Sequence, residues 1–286
     1  MHVKKGNRAV QKNKTRHHLT AVFIGLSLTG LVACDPKNKD KVNDQKQPKT
    51  LQPTEKAEVL PFLNIQEQPA KYALPFCEKK DCIDVKIQTI HTQDAFINQW
   101  IADSQAKVIQ DQLGLKQAMS LQQAINAYVK ASDAWQQDFK ANQAYALDMQ
   151  TRIAAQRNQY VLLQVIVNTK QEDVSVKDRG YFFVVDRKLH KKLSLLDVIE
   201  SKQQNVMNEI IQAKYQEWLT EQKTEVRKSA PKKLYWGQND WFFDDEGLGV
   251  HYRANEIVKD GTQLDIYLSK AQTQQIVQPN IFQKMF

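Results

Sequence analysis

The sequence predicts an α+β fold, an antiparallel sheet with helices packed on it. Three observations carry this. Between residues 92 and 139 apolar side chains recur every three or four positions, the period of helices with one buried face. From Tyr145 the period shortens to two and then gives way to the nearly unbroken apolar run 160–167, as a central strand requires. After one more helical stretch, short apolar segments alternate with Asp- and Gly-bearing turns, the pattern of a meander.

Composition bounds the problem before any element is placed. The chain has 286 residues, 42% of them hydrophobic and 25% charged, with three cysteines. That is ample for a real core and unlike a disordered chain, a collagen repeat or a disulfide-stapled miniprotein. A formal charge of +8 suggests nucleic acid or an anionic membrane as partner, but its distribution speaks against nucleic acid. Six of the 40 basic side chains, and no acidic one, fall within residues 1–33; the other 34 face 32 acidic groups, so the remainder carries +2.

Residues 1–18 are polar and cationic, and residues 19–33 (LTAVFIGLSLTGLVA) are uncharged and mostly apolar. Fifteen residues span about 22 Å as a helix, short of the roughly 30 Å hydrocarbon core. A polar segment follows at once, so residues 1–33 are expected to be a secretory signal peptide. Leu31-Val32-Ala33-Cys34 resembles the lipobox of bacterial lipoproteins. That resemblance implies cleavage before Cys34, a diacylglyceryl thioether on its sulfur and an acylated amine, and so a lipid-anchored protein on the periplasmic side of a bacterial membrane. Several acyl chains at roughly 0.8 kcal/mol per buried CH₂ make such an anchor stable. Asp35 resembles the inner-membrane retention signal of enterobacterial lipoproteins, favouring the inner over the outer membrane. Residues 34–58 hold almost no apolar side chains and cannot fold alone; as a tether they span roughly 25–30 Å.

The folded part is expected from Val59. Cys77 and Cys82 enclose Glu-Lys-Lys-Asp, and in an oxidising exported environment a local disulfide is expected; a zinc site would use tighter Cys spacing and further ligands. Ile83, Val85, Ile87 and Thr89 alternate as a strand. Thr92 and Asp94 can cap a helix carrying Ile97, Trp100, Ile101 and Val108, stopped at Gly114. Ser120 with Gln123 forms a capping-box pattern ahead of Leu121, Ile125, Tyr128, Trp135 and Phe139, which read as core rather than a ligand cage. Tyr145, Leu147 and Met149 begin a strand, 160–167 is a strand buried on both faces, and 181–185 is another. Ser194 with Asp197 is expected to open a third long helix bearing Ile199, Val206, Ile210, Tyr215, Trp218 and Leu219. Residues 222–233, with Pro231, read as a loop. Trp241, Phe242 and Phe243 lead to the turn Asp244-Asp245-Glu246-Gly247; residues 248–252 return, and Asp260-Gly261 turns into Leu264, Ile266 and Leu268.

This order of elements resembles the extracytoplasmic region of the RsiV anti-sigma factor family, over roughly residues 70–280. The likeness rests on the strand before Phe96-Ile97-Asn98, on Phe183-Val184-Val185-Asp186 followed by Leu193-Ser194-Leu195-Leu196-Asp197-Val198-Ile199, and on the terminal pattern from Trp241 to Tyr252 closed by Asn255-Glu256-Ile257 and Gly261. It implies a PdaC-like portion over 59–190 and an RsiV C-terminal-like portion over 191–286. The Gly-Gly-Ala-His segment often found in the family is missing between Thr169 and Gly180. A lipid anchor stands where the family has a sigma-binding region and membrane helix, so the resemblance implies the sensory half alone. For RsiV itself the sensed ligand is lysozyme.

No GxSxG, HExxH, Walker A or GxGxxG segment is present, and no motif implies a metal or cofactor. Ser104 with Lys107 and Ser229 with Lys232 match SxxK, but the SxN and KTG partners of a penicillin-recognising enzyme are missing. His251, placed opposite the Asp244/Asp245/Glu246 turn, is the least implausible acid–base candidate, though a half-exposed strand histidine is the simpler reading. Asp240, Asp244, Asp245 and Glu246 lie among Trp236, Trp241, Phe242 and Phe243. An acidic tip edged by aromatics can receive a cationic protein; a solvated turn over core aromatics is the plainer alternative. The function expected is non-catalytic binding of a cell-envelope ligand, lysozyme or peptidoglycan fragments. A peptidoglycan hydrolase or deacetylase-associated factor, and a structural lipoprotein bridging membrane and wall, are the alternatives.

Overall fold

The computed structural model describes residues 60–77, 81–139 and 142–286. The expected signal peptide, Cys34, Asp35 and the tether lie outside the described residues. The described residues form one compact unit. Strands β1 (Gln66–Pro69), β2 (Asp84–His91), β3 (Ala146–Arg157), β4 (Tyr160–Gln171), β5 (Val174–Asp186) and β6 (Lys191–Leu193) form a six-stranded sheet in sequence order. Every neighbouring pair is antiparallel except β2 and β3. Their connection carries α1 (Ala95–Gln112) and α2 (Leu121–Asp138) across one face and returns the chain to the end of the sheet where β2 began, which permits parallel pairing. The mixed α+β, mainly antiparallel fold is as the sequence predicts.

Local chemistry sets the two helices. Asp94 Oδ1 accepts from the backbone N–H groups of Phe96 (3.0 Å) and Ile97 (3.2 Å), and the Asn98 amide closes a ring with the Thr92 backbone in both directions at 2.8 Å. α1 ends before Gly114, whose φ of +65° suits a residue without Cβ. The Ser120–Gln123 capping box opens α2. Ile97, Trp100, Ile101 and Ile109 from α1, with Ile125 and Tyr128 from α2, pack on Val85, Ile87, Leu147, Met149 and the Val161, Leu163, Val165, Val167 face of β4. Cys77 and Cys82 are joined as a disulfide with Cα atoms 6.0 Å apart, which leaves neither sulfur for a metal.

A second core lies on the opposite face at the start of β4. Tyr160 and Leu162 point into it, so β4 is buried on both sides there. It is built from α3 (Leu195–Val198), α4 (Gln204–Glu221), α5 (Thr224–Ser229), the antiparallel sheet β7 (Asp240–Phe243), β8 (Gly247–Tyr252) and β9 (Leu264–Ser269), and the closing helices α6 (Lys270–Ile276) and α7 (Pro279–Met285).

Two expectations are corrected. The Ser194–Asp197 capping box forms, but it opens a single turn, not a long helix. The backbone becomes extended at the fully buried Ile199, which bridges Val277, while Glu200 N–H donates to Ile276 O (2.8 Å) and Gln278 N–H to Val198 O (3.0 Å). The long helix starts later, at Gln204. Residues 222–233 are not all loop, because α5 lies within them. Beyond the predicted meander, the chain after β9 is helical, opened by a third capping box at Ser269 and Gln272 and by Pro279 in the first turn of α7.

Candidate functional site

The helix α1 places Asp103, Lys107 and Asp111 four residues apart, and that spacing holds them on one face. This stripe borders a cleft with two adjoining parts that share Asp103, Lys107 and Lys192. The larger, of about 530 Å³, lies between α1 and residues 115–119. The smaller, of about 320 Å³, is walled by α1, residues 182–184 of β5, β6 and residues 238–241. The wall opposite α1 is fixed to it, since Leu115 N–H donates to Gln110 O at 2.9 Å and the Gln110 side-chain amide donates to Gln117 O.

The charges lining the cleft are unequally committed. Asp103 pairs with Lys192 at 3.2 Å, and Asp197 with Lys191 at 2.5 Å. Asp111 accepts from the Tyr181 hydroxyl at 2.5 Å and faces Arg253 (3.4 Å) and Arg179 (3.7 Å). Asp240 accepts from Phe182 N–H at 3.2 Å and lies 3.9 Å from Arg253. Lys107 and Lys116 are exposed, and among the described residues neither pairs with a carboxylate.

Beneath the cleft a charged network ties α1 to β5, β7 and the end of β8. The Arg253 guanidinium lies over the Tyr181 ring, 4.9 Å from its centroid. Burial pushes the Tyr181 phenol up, and the Asp111 carboxylate adds to it. Burial also holds the Asp240 carboxyl above the usual carboxylate range, with Arg253 and His251 opposing. For Arg253 burial disfavours the charge, but Asp240 and Asp111 outweigh it and raise its pKa.

The structure divides the residues singled out in the sequence. Asp240 and Trp241 line the smaller part of the cleft, where the Trp241 indole N–H donates to Leu193 O at 3.0 Å. Asp244, Asp245 and Glu246 sit at the other end of β7. Asp244 caps its own turn, accepting from Glu246 N–H (2.9 Å) and Gly247 N–H (3.2 Å), and also accepts from the Tyr267 hydroxyl. Asp245 pairs with Arg157, and Glu246 is exposed. The expected aromatic rim is core instead: Trp236 is 7% exposed, Trp241 2%, Phe242 8% and Phe243 1%. Consecutive aromatics in a hairpin between two packed layers have both of their faces covered, so none is left at the tip to anchor a partner.

His251 is also relocated. The hairpin register pairs it with Asp240, not with the acidic turn, and it is 4% exposed. Its Nδ1 lies 2.6 Å from Asp265 Oδ1 and its Nε2 3.2 Å from Gly180 O, so both nitrogens are engaged in holding β8 to β9 and β5. Of the SxxK serines, Ser104 donates to Trp100 O within α1 and Ser229 to Glu225 O within α5. Among the described residues no group of three or more His, Cys, Asp or Glu is placed to hold a metal, and no helix is long and apolar enough to cross a membrane. Sequence reasoning missed Lys107 and Lys116 as site residues. The four-residue spacing of Asp103, Lys107 and Asp111 was a visible signal, but which charges stay unpaired is decided by distant partners.

No protein-family model matches the chain, and no curated protein does. Solved structures do. A DUF3298 family protein of Pseudomonas aeruginosa superposes with a TM-score of 0.58 at 16% identity, covering 78% of this chain and 97% of that one. A DUF3298 family member of Bacteroides fragilis superposes with a TM-score of 0.54 at 11% identity, again covering 78% of this chain and 97% of that one. At these identities the likeness is one of fold.

Proposed function

We propose that the chain is a lipid-anchored periplasmic binding protein that acts without catalysis and takes peptidoglycan fragments as its ligand. In this reading Cys34 carries the lipid, Asp35 retains it at the inner membrane, residues 34–58 hold the domain off the surface, and the relation to the RsiV family is that of a sensory module alone. The observation that supports it is the cleft along α1, in which every lining carboxylate is engaged while Lys107 and Lys116 stay open. A concave site with a few convergent polar groups is where a ligand gains most from a fixed scaffold. Peptidoglycan fragments bring carboxylates that suit such a site. Lysozyme, as a cationic protein, fits the surplus positive charge badly, and the tip that would receive it keeps Asp244 and Asp245 occupied by Tyr267 and Arg157.

Titration calorimetry of the full chain, purified from membranes in detergent, against muropeptides and against lysozyme tests the reading. Saturable binding of muropeptides is expected. Binding of lysozyme alone, or of neither, overturns it. Cleavage or deacetylation of peptidoglycan that is lost in Asp240→Asn would overturn the non-catalytic assignment in favour of a hydrolase or deacetylase-associated factor. Mass spectrometry of the N-terminal peptide checks the anchor: a diacylglyceryl-modified Cys34 is expected, and an intact Met1 excludes it.

A further inference from the structure

We infer that the cleft selects an extended peptide of about five residues that carries two carboxylates, with Lys107 and Lys116 as the groups that read them. This rests on the cleft being the ligand site and goes further, to the ligand's length, charge and direction.

Length follows from the helix that forms the wall. The lining positions of α1 run from Trp100 to Asp111. At 1.5 Å per residue that is about 16 Å of wall. An extended chain advances roughly 3.3–3.6 Å per residue, so about five residues fill it.

Charge follows from the pairing. Each of Asp103, Asp111, Asp197 and Asp240 is held by a cation of the protein itself. Lys192 is consumed by Asp103, which leaves Lys107 and Lys116 as the uncompensated charges of the lining. An ammonium on a flexible stem is a point charge with three rotatable donors and accepts carboxylates over a range of approaches. Charge-assisted hydrogen bonds to it are among the stronger polar contacts available. A ligand rich in Lys or Arg would meet two like charges and no free carboxylate.

Direction follows from where the two lysines sit. Lys107 stands where the two parts of the cleft meet, and Lys116 lines the larger part alone. The acidic end of the ligand therefore lies over the larger part, which also offers Leu115 and Met119. The uncharged end lies against Phe182, Trp241 and the amides of Gln238 and Asn239.

The test is calorimetry on the full chain with three synthetic probes. One is N-acetylated Ala-Glu-Ala-Ala-Ala, with carboxylates on its glutamate and C-terminus. The second is its Gln, C-terminal amide counterpart, and the third carries Lys in place of Glu with the C-terminus amidated. The diacid is expected to bind at least about tenfold more tightly than either of the others, and Lys107→Gln with Lys116→Gln is expected to abolish that preference. Lys232→Gln, on the surface outside the cleft, should leave it intact. Equal binding of diacid and diamide, with the double variant unchanged, overturns the charge assignment while the cleft remains a ligand site. Preference for the Lys probe overturns it outright. Failure of wild type to bind both these probes and muropeptides removes the parent reading as well.

Discussion

Asp197 serves two partners with one carboxylate. It accepts from the Ser194 backbone N–H (2.8 Å) and hydroxyl (2.6 Å), and it pairs with Lys191 at 2.5 Å. Burial by itself would raise its pKa, but the Lys191 ammonium and the Ser194 donors outweigh that and hold the carboxyl below its usual range. A depressed native pKa means stability that is present above the unfolded value of about 3.9 and lost as the pH falls through the native one. Asp197→Asn should therefore cost about 1 kcal/mol at neutral pH, and urea denaturation should show the gap to wild type closing below about pH 4. Gly249 is constrained by sterics: a Cβ there would meet Phe242 Cζ at 2.2 Å. That ring cannot yield, because Phe182 and Tyr267 hold it with centroids 5.0 Å away on either contact. Gly249→Ala should destabilise by about 3 kcal/mol in denaturant titration. At Gly237 the nearest atom is the hydroxyl of the exposed Tyr235, which can swing aside, so the same change there should be nearly silent.

Elements whose signals are local were legible, and those defined by partners were not. α1 and α2 could be placed because Asp94, Ser120 and Gln123 act on backbone groups within three residues. Ser120→Ala should accordingly cost about 1 kcal/mol, read as a lowered thermal midpoint. β4 was legible because its apolar run needs no partner to be recognised. The break at Ile199 was not, since the residue that draws it out of the helix, Val277, lies far along the chain. β1, with the sequence QEQP, has no apolar pattern and exists by pairing with β2. The Ser269–Gln272 box and Pro279 were readable helix starts that the meander pattern overshadowed. The candidate site was half legible. Asp240 and Trp241 do line the cleft, whereas periodicity could not say that the neighbouring aromatics turn inward or that Lys107 lacks a partner.

At the scale of the molecule, stability rests on two cores that share β4, and the disulfide is a local addition. Closing a ring of six residues contributes only about 2 kcal/mol. Reduction should thus lower the thermal midpoint by roughly 4–8 °C without changing the number of transitions, as calorimetry with and without reductant would show. A single transition is expected because Val161 and Tyr160, adjacent in one strand, belong to different cores and neither core can melt while the other keeps β4 in place. The charged network at Asp111, Arg253 and Asp240 fastens the same seam from the cleft side.

The parallel pairing of β2 with β3 also sets an order in time. A chain that emerges N-terminus first, from a ribosome or across a membrane, presents α1 and α2 before β3 and β4, the strands that cover most of their apolar faces. A chain halted near residue 140 would display Trp100, Ile101, Ile109 and Tyr128 against little more than β2. Contacts of such sequence separation form late, and until they do the exposed faces invite aggregation. The exposed interval therefore ends with the arrival of residues 160–167.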